Sequence, residues 1–216
     1  MLTKKLAMGI FVAMAGLSWG TSTYAADAGD WLVRGRVINV NPNDDSGEVT
    51  GISGSGVSVD SATTAELDFT YFLDKNWALE LILATTGHDI NGTGSVASLG
   101  KVVDTKVLPP TLTLQYHADM SESVRAYAGV GLNYTLFYSE DGTGAFEGAD
   151  VDLDSSFGLA GQLGVDIDIN DDWFFNLDVK YIAIDTTAEI NTGTSVLTVD
   201  ADIDPWVFGI GFGTKF

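Results

Sequence analysis

The chain has 216 residues, 45% hydrophobic and 19% charged, with 30 acidic against 10 basic side chains and no cysteine. A formal charge of −20 argues against nucleic acid as a partner, because so acidic a chain does not gather phosphates, while the apolar content excludes a disordered acidic polymer. Beyond Ala25 no apolar run is long enough to cross a bilayer as a helix, which leaves a closed barrel as the only architecture able to span one.

In chain order, residues 1–25 read as a removable export signal. Lys4 and Lys5 precede a short apolar stretch from Leu6 to Leu17, and Thr23-Tyr24-Ala25 offers small residues where a signal peptidase reads. Cleavage is expected after Ala25; the alternative is an N-terminal membrane anchor, for which the stretch is short. Taking the two lysines from the basic residues leaves eight against 30 acidic ones, a charge of −22 on residues 26–216. Those residues read as one domain. Without disulfides, an exported chain has to be held by its own hydrogen-bond ladder, which a closed barrel supplies.

Eight stretches then alternate with period two. Trp31 to Val40 puts Trp31, Val33 and Val37 opposite Arg34 and Arg36, and Thr64 to Leu73 puts Leu67, Phe69 and Tyr71 opposite Glu66 and Asp68. After Asp74-Lys75-Asn76, Trp77, Leu79, Leu81 and Leu83 oppose Ala78, Glu80 and Ile82. Beyond Pro109-Pro110, Leu112, Leu114 and Tyr116 face away from Thr113, Gln115 and His117. Arg125 to Phe137 sets Ala128, Val130 and Leu132 against Tyr127, Gly129 and Gly131, and Phe157 to Ile169 sets Leu159, Leu163 and Ile167 against Ala160, Gln162, Asp166 and Asp168. The last two place Trp173, Phe175 and Leu177 against Asn176, Asp178 and Lys180, then Trp206, Phe208 and Ile210 against Val207, Gly209, Gly211 and Lys215.

Alternation alone does not separate a membrane barrel from a soluble sandwich, whose apolar face turns inward. Three asymmetries favour the barrel. Connections after the second, fourth and sixth stretches are a few residues long, whereas the others run to roughly twenty, well above the usual loop length. Aromatics gather at the ends of the stretches, with Trp31, Phe72, Trp77, Tyr116, Trp173 and Phe216 by the short turns and Phe137, Tyr138, Phe157, Tyr181 and Trp206 by the long loops. Two such girdles suit a lipid interface. About ten residues at ~3.3 Å each, tilted ~45°, give a height of roughly 23 Å, close to the apolar band of outer-membrane barrels. The expected fold is an all-β, eight-stranded, antiparallel up-and-down transmembrane barrel. In the last long connection, 188–190 and 196–203 flank Asn191 to Ser195 as a hairpin tip.

Several blocks resemble the OmpW family of outer-membrane proteins. They are Trp31-Leu-Val-Arg-Gly-Arg36 with Asn41-Pro42, Thr70-Tyr71-Phe72 before Asn76-Trp77-Ala78-Leu79-Glu80-Leu81, Lys106-Val-Leu-Pro-Pro-Thr-Leu-Thr-Leu-Gln-Tyr-His117, Tyr127-Ala-Gly-Val-Gly-Leu-Asn-Tyr134, and Asp204-Pro205. The resemblance runs the length of the chain beyond the signal and implies an eight-stranded barrel that helps small apolar molecules across the outer membrane. In that family the lumen is thought to be apolar towards the outside and closed towards the periplasm, so that cargo leaves sideways. The loops diverge and are more acidic, so ligand identity does not transfer.

Strand direction sorts the inward positions by depth. A periplasmic layer of Arg34, Arg36, Glu66, Asp68, Glu80, Arg125, Asp166, Asp168, Asn176, Asp178, Lys180 and Lys215 is expected to pair into a charged plug, since an eight-stranded interior is only wide enough for side chains to fill it. Above it, Ile38, Val40, Ile82, Ala84, Gly158, Ala160, Ile182 and Val207 would line an apolar vestibule, or alternatively simply fill the core. Pro109 and Pro110 donate no ladder hydrogen bond, which makes either a gap in the wall or a stiff lead into the loop. Trp31, Trp77, Tyr116, Trp173 and Phe216 are assigned to one girdle and Phe137, Phe157 and Trp206 to the other.

Catalysis is not expected. His88 is read in a glycine-rich loop and His117 at the periplasmic rim, where they share no site. Asp150-x-Asp152-x-Asp154 lacks the turn glycine and the bidentate Glu of a calcium loop, and Asp200-x-Asp202-x-Asp204 fails likewise, so no metal or cofactor is assigned. Expected partners are outer-membrane lipids and lipopolysaccharide, small hydrophobic solutes, and the barrel-insertion machinery reading the terminal Phe216 strand, with both termini in the periplasm. The rival function is a structural or adhesive barrel whose acidic loops meet ions, lipopolysaccharide or other cells.

Overall fold

The computed structural model describes residues 26–216, so the export signal expected over residues 1–25 lies outside the described residues. β1 (Trp31–Asn41) leads through the short β2 (Asp45–Ser46) and β3 (Ser55–Val59) to β4 (Ala62–Phe72) and β5 (Trp77–Ala84). β6 (Thr86–Gly94) and β7 (Lys101–Leu108) precede β8 (Thr111–Ser121) and the long β9 (Val124–Gly142). Then follow β10 (Asp150–Leu153), β11 (Ser156–Asp168), β12 (Trp173–Ile182), β13 (Asp185–Asn191), β14 (Val196–Asp202) and β15 (Trp206–Lys215).

The eight alternating stretches are β1, β4, β5, β8, β9, β11, β12 and β15, and they close in that order into an antiparallel barrel, with β15 pairing back on β1 from Lys215 opposite Leu32 to Trp206 opposite Asn41. The side-chain polarity is inverted relative to a soluble protein. Val130 is 70% exposed on the outer wall, while Thr113, Gln115, Asn133 and Asn176 inside are fully buried. Only hydrocarbon outside makes that inversion favourable.

The short turns use one device twice. Asp74 Oδ1 accepts the backbone N–H groups of Asn76 and Trp77 at 2.7 and 2.8 Å, and Asn170 Oδ1 accepts those of Asp172 and Trp173 at 3.0 Å. Such a side chain pins the turn and starts the next strand at a tryptophan. Trp31 and Phe216 exchange backbone hydrogen bonds at this same turn rim, which places both barrel ends there.

At the opposite rim the wall does not stop where the barrel stretches were expected to end. β6, β7 and β3 continue the barrel sheet against the upper part of β9, and β10, β13, β14 and β2 form a second sheet. The long connections therefore carry strands of their own, and the third spans only residues 143–155 because β9 runs to Gly142. The hairpin of β13 and β14 turns at residues 192–195, inside the expected tip.

Trp31, Trp77, Tyr116, Trp173 and Phe216 lie exposed at the turn rim, and Phe157 and Trp206 at the loop rim. Neighbouring rings meet there, Trp77 with Tyr116 at 5.1 Å and Tyr181 with Trp206 at 5.3 Å between centroids. Two of the aromatics placed in the girdles belong elsewhere. Phe137 shares the inward parity of Asn133 and Thr135 and packs among the lumen aliphatics. Phe72 is fully buried with Phe174, Leu32, Ala78 and Ala26, closing the turn end from within.

Candidate functional site

The inner faces of the eight strands bring three cations and five carboxylates into one buried layer. Arg34 grips Asp166 with both arms, Nη2 to Oδ2 at 2.7 Å and Nε to Oδ1 at 3.2 Å, and also donates to Thr70 at 2.7 Å and Glu80 at 3.1 Å. Arg36 pairs with Glu66 at 2.9 Å and Asp68 at 2.8 Å, and its Nε donates to Asn176 at 2.6 Å. Lys180 joins Glu66 at 2.6 Å to Asp178 at 2.8 Å. Gln115 and Gln162 both donate to Glu80 Oε2, at 2.6 and 2.9 Å, and Gln115 donates to Gln162 as well. Almost every polar atom in the layer has a partner, as burial of charge requires.

Glycines make this layer possible. Gly164 lies between Tyr127 on β9 and Asp178 on β12, and the Tyr127 ring passes over it to donate its hydroxyl to Asp178 at 2.8 Å. Gly213 lies in the same way between Phe174 and Arg34, and Gly129 between Gln115 and Gln162. An added Cβ at Gly164 or Gly213 would overlap the ring that crosses it. Each glycine is thus a gap through which a side chain from one neighbouring strand reaches the other.

Of the residues expected in the charged layer, Arg34, Arg36, Glu66, Asp68, Glu80, Asp166, Asn176, Asp178 and Lys180 come together. The other three sit nearer the turn rim. Arg125 pairs with exposed Asp119 at 2.8 Å, Lys215 with Asp30 at 2.7 Å, and the Asp168 N–H donates to the carbonyl of Ser123. His117 is not a rim residue: it is fully buried, stacked 5.1 Å from Tyr127, and donates from Nε2 to Gln115 Oε1 at 2.9 Å. Its parity on β8, the same as Thr113 and Gln115, carries the signal. Tyr127, Gln115, Gln162 and Thr70 belong to the layer without having been singled out; long polar residues at inward parity beside glycines mark them.

Above this layer lies a cavity whose floor is Glu66, Lys180 and Thr111 and whose walls are almost wholly aliphatic. It is a slot enclosing about 1090 Å³, counting its open mouth. Ile38, Val40, Ile82, Ala84, Ile182 and Val207 line it as expected. Ala160 instead packs beside its cross-strand partner Ile182 in a cluster with Val207 and is absent from the lining, and a side chain on Gly158 would run into the backbone carbonyl of Ala183, so neither lines the space. The slot continues past the barrel between the loop strands, where Ile90, Val103, Leu153, Ile190 and Val199 form its upper walls. These residues lay in stretches read as loops.

His88 also lies in this upper part, on β6 rather than in a loop, with its side chain buried against the slot. Its ring hydrogen-bonds the Asp60 carbonyl through Nδ1 and Thr86 through Nε2, both at 2.8 Å. Burial holds its pKa below the usual histidine value, so the ring is neutral at pH 7.

Pro109 and Pro110 interrupt the wall beside the slot. Ile82 stands opposite Thr111 and Thr86 opposite Val107, so the register is unbroken on either side of the two prolines. Between these pairs the prolines offer no N–H to the neighbouring strand. Asn133, fully buried, donates to both proline carbonyls at 3.2 and 3.4 Å and steadies the interruption from the other side.

A family model described as the OmpW family matches residues 27–216. The chain is 40% identical over 209 residues to outer membrane protein W of Vibrio cholerae serotype O1, covering 94% of this chain and 95% of that one. The crystal structure of the outer membrane protein OprG from Pseudomonas aeruginosa matches with a TM-score of 0.81 at 40% identity, over 88% of this chain and 97% of that one. The solid-state NMR structure of outer membrane protein AlkL, a protein of Ectopseudomonas oleovorans, matches with a TM-score of 0.68 at 26% identity, over 94% and 97%. With the barrel, its inverted polarity and these matches all running the length of the described residues, the chain belongs to the OmpW family of outer-membrane β-barrels.

Proposed function

We propose that the barrel gives small hydrophobic molecules passive passage into the outer membrane, through the apolar slot and out sideways at Pro109-Pro110. The observation that carries this reading is the change of lining along one lumen: mostly aliphatic from the loop rim down to Ile38 and Ile82, then an ionic layer beneath in which almost every charged group is paired. An apolar solute partitions into the first and gains nothing from the second, whose side chains already satisfy one another. Its downward path is closed. The remaining exit is the stretch of wall where the ladder lacks hydrogen bonds.

In this reading the turn rim, with both barrel ends, faces the periplasm, and the acidic loop rim faces lipopolysaccharide. The insertion machinery would engage the terminal strand ending at Phe216. No catalytic step or cofactor is involved, since His88 belongs to the upper slot and His117 to the layer below.

The test is uptake of an apolar fluorescent solute into lipopolysaccharide-containing vesicles carrying the barrel. Ala84→Trp, which fills the slot from its wall, should abolish the barrel-dependent rate while leaving the folded fraction unchanged. Uptake that survives this substitution overturns the route. Absence of barrel-dependent flux in the unmodified protein would leave the acidic loops, as ligands for ions, lipopolysaccharide or other cells, as the functional surface.

A further inference from the structure

Above its floor the slot is aliphatic but for the Phe137 ring, Thr186, whose hydroxyl donates to the Asp154 carbonyl at 2.8 Å, and one neutral polar spot high on its wall. Thr86, His88 and Thr105 all line it, each less than a tenth exposed, on the adjoining strands β6 and β7. His88 and Thr105 are direct cross-strand partners, and Thr86 lies two residues along on the same face.

The hydrogen bonds fix what this spot can offer. The Asp60 carbonyl only accepts, so His88 Nδ1 carries the proton and donates to it. In the neutral ring Nε2 is then an acceptor, and the Thr86 hydroxyl donates its proton there. Thr86 Oγ1 is left with lone pairs and no proton to give: an acceptor. The Thr105 hydroxyl reaches only the neighbouring Lys106 carbonyl, at 3.5 Å, which is at the limit of a hydrogen bond and leaves its proton available to a better acceptor. From diagonal positions of the β6–β7 pairing, the two hydroxyls present one acceptor and one donor, with no charge, in a wall lined mostly by aliphatics.

We infer that Thr86 and Thr105 form a recognition point for a single neutral hydroxyl, so that the slot prefers small alcohols and phenols to hydrocarbons of the same size and disfavours carboxylates. A hydroxyl group both donates and accepts, and so satisfies the two threonines at once. An alkane leaves them unpaired. A carboxylate can take the Thr105 proton but turns a lone pair towards Thr86, meets no cation at this level, and faces an acidic protein throughout. This rests on the reading of the slot as a solute path and adds a chemical class to it.

The experiment is methyl NMR of the barrel in lipid nanodiscs, labelled at threonine and isoleucine methyls and titrated with 1-hexanol, hexane and hexanoate, each corrected for partition into the lipid. Hexanol should shift the Thr86 and Thr105 methyls saturably, with an affinity above that of hexane by about two- to tenfold for each hydrogen bond gained. Hexanoate should bind weakest. Thr86→Val with Thr105→Val, which keeps shape and strand preference, should bring hexanol down to the level of hexane and leave hexane unchanged; Thr105→Val alone should remove part of the difference.

Equal binding of hexanol and hexane to the unmodified barrel, or a preference that persists in the double variant, overturns the inference while the solute path stands. The threonines would then be strand formers only. If none of the three solutes saturates the Ile82 and Ile90 methyls, the slot takes no small solute, and the path and the inference fall together.

Discussion

Tyr127 occupies the space that a side chain on Gly164 would need, and from there its hydroxyl donates to Asp178 on the far strand at 2.8 Å. The same oxygen accepts from Arg36 at 3.1 Å and from Asn176 at 3.0 Å, so one ring ties three groups of the ionic layer together. Gly164→Ala should push the ring aside and strain all three bonds, costing about 1–3 kcal/mol as overpacking does. The denaturant midpoint of the refolded barrel measures this. Gly35→Ala is the control, because a Cβ there meets nothing within 4 Å. Equal midpoints for the two variants would mean that the ring has somewhere else to go.

Arg34 is the second pivot. It is fully buried and holds Asp166 and Glu80 through separate nitrogens. Arg34→Met leaves Asp166 without its cation in a dry interior, and Glu80 with Arg36 alone at 3.4 Å, and should destabilise the barrel by about 3–5 kcal/mol. Arg34→Lys keeps the charge but cannot reproduce the two-armed contact, and should fall between the two. If Met and Lys prove equivalent, charge at this position carries no stability.

Much of this was legible in the sequence, for a physical reason. The period-two pattern is the same whether lipid or core lies on the apolar face, but turn lengths and aromatic ends are not, and they set the barrel and its strand order. The ionic layer followed from parity, because the register of a closed ladder leaves a side chain such as Glu80 one direction to point. Inward parity also marks Phe137 and Phe72, against the preference of aromatic rings for the interface, while His117 has the inward parity of Thr113 and Gln115 and lies deeper than its place near the strand end suggests. Gly158 went astray for a different reason: coiling of the strands sets the Ala183 carbonyl against it, and no local pattern encodes that approach. The upper walls were hidden because β3 and β10 are short, β6 is rich in glycine, and β7 changes register between Asp104 and Lys106, so alternation there is diluted.

Closure of the lumen is measurable as ion flow. With Glu66, Lys180 and Asp178 locked at 2.6 and 2.8 Å across the floor of the slot, single-channel conductance of the barrel in planar bilayers should be near the detection limit. Glu66→Ala with Lys180→Ala removes one carboxylate and the cation it holds, and opens room for water beside Arg36. Conductance should rise several-fold. A large unitary conductance in the unmodified barrel would contradict a closed floor.

The proline interruption makes a distinct prediction. Pro109→Ala with Pro110→Ala restores two backbone N–H groups in a stretch whose register already matches on both sides. The ladder should knit, with slower amide exchange at Leu83 to Thr85, while solute uptake falls several-fold. Stability should stay level or rise by up to about 1 kcal/mol, since one or two hydrogen bonds are gained. Undiminished uptake would show that solutes leave elsewhere along the wall.

His88 gives the loop rim a dependence on pH whose direction is fixed by burial. Its folded pKa lies below the ordinary value of 6.5, so the unfolded chain binds the proton more readily. The stability it contributes is therefore complete above pH 6.5 and is lost as pH falls from there towards the folded value, where the ring protonates in place and its bond from Thr86 breaks. Asp185 acts in the opposite sense: burial and the neighbouring Asp202 and Asp204 raise its pKa, so acid favours the folded form at that site. The two are separable by difference. His88→Gln removes the first and keeps the second, so the gap in loop-rim amide protection between the unmodified protein and the variant should narrow from pH 7 to pH 5. A gap that stays constant over that range would mean that burial does not lower the pKa of the imidazole.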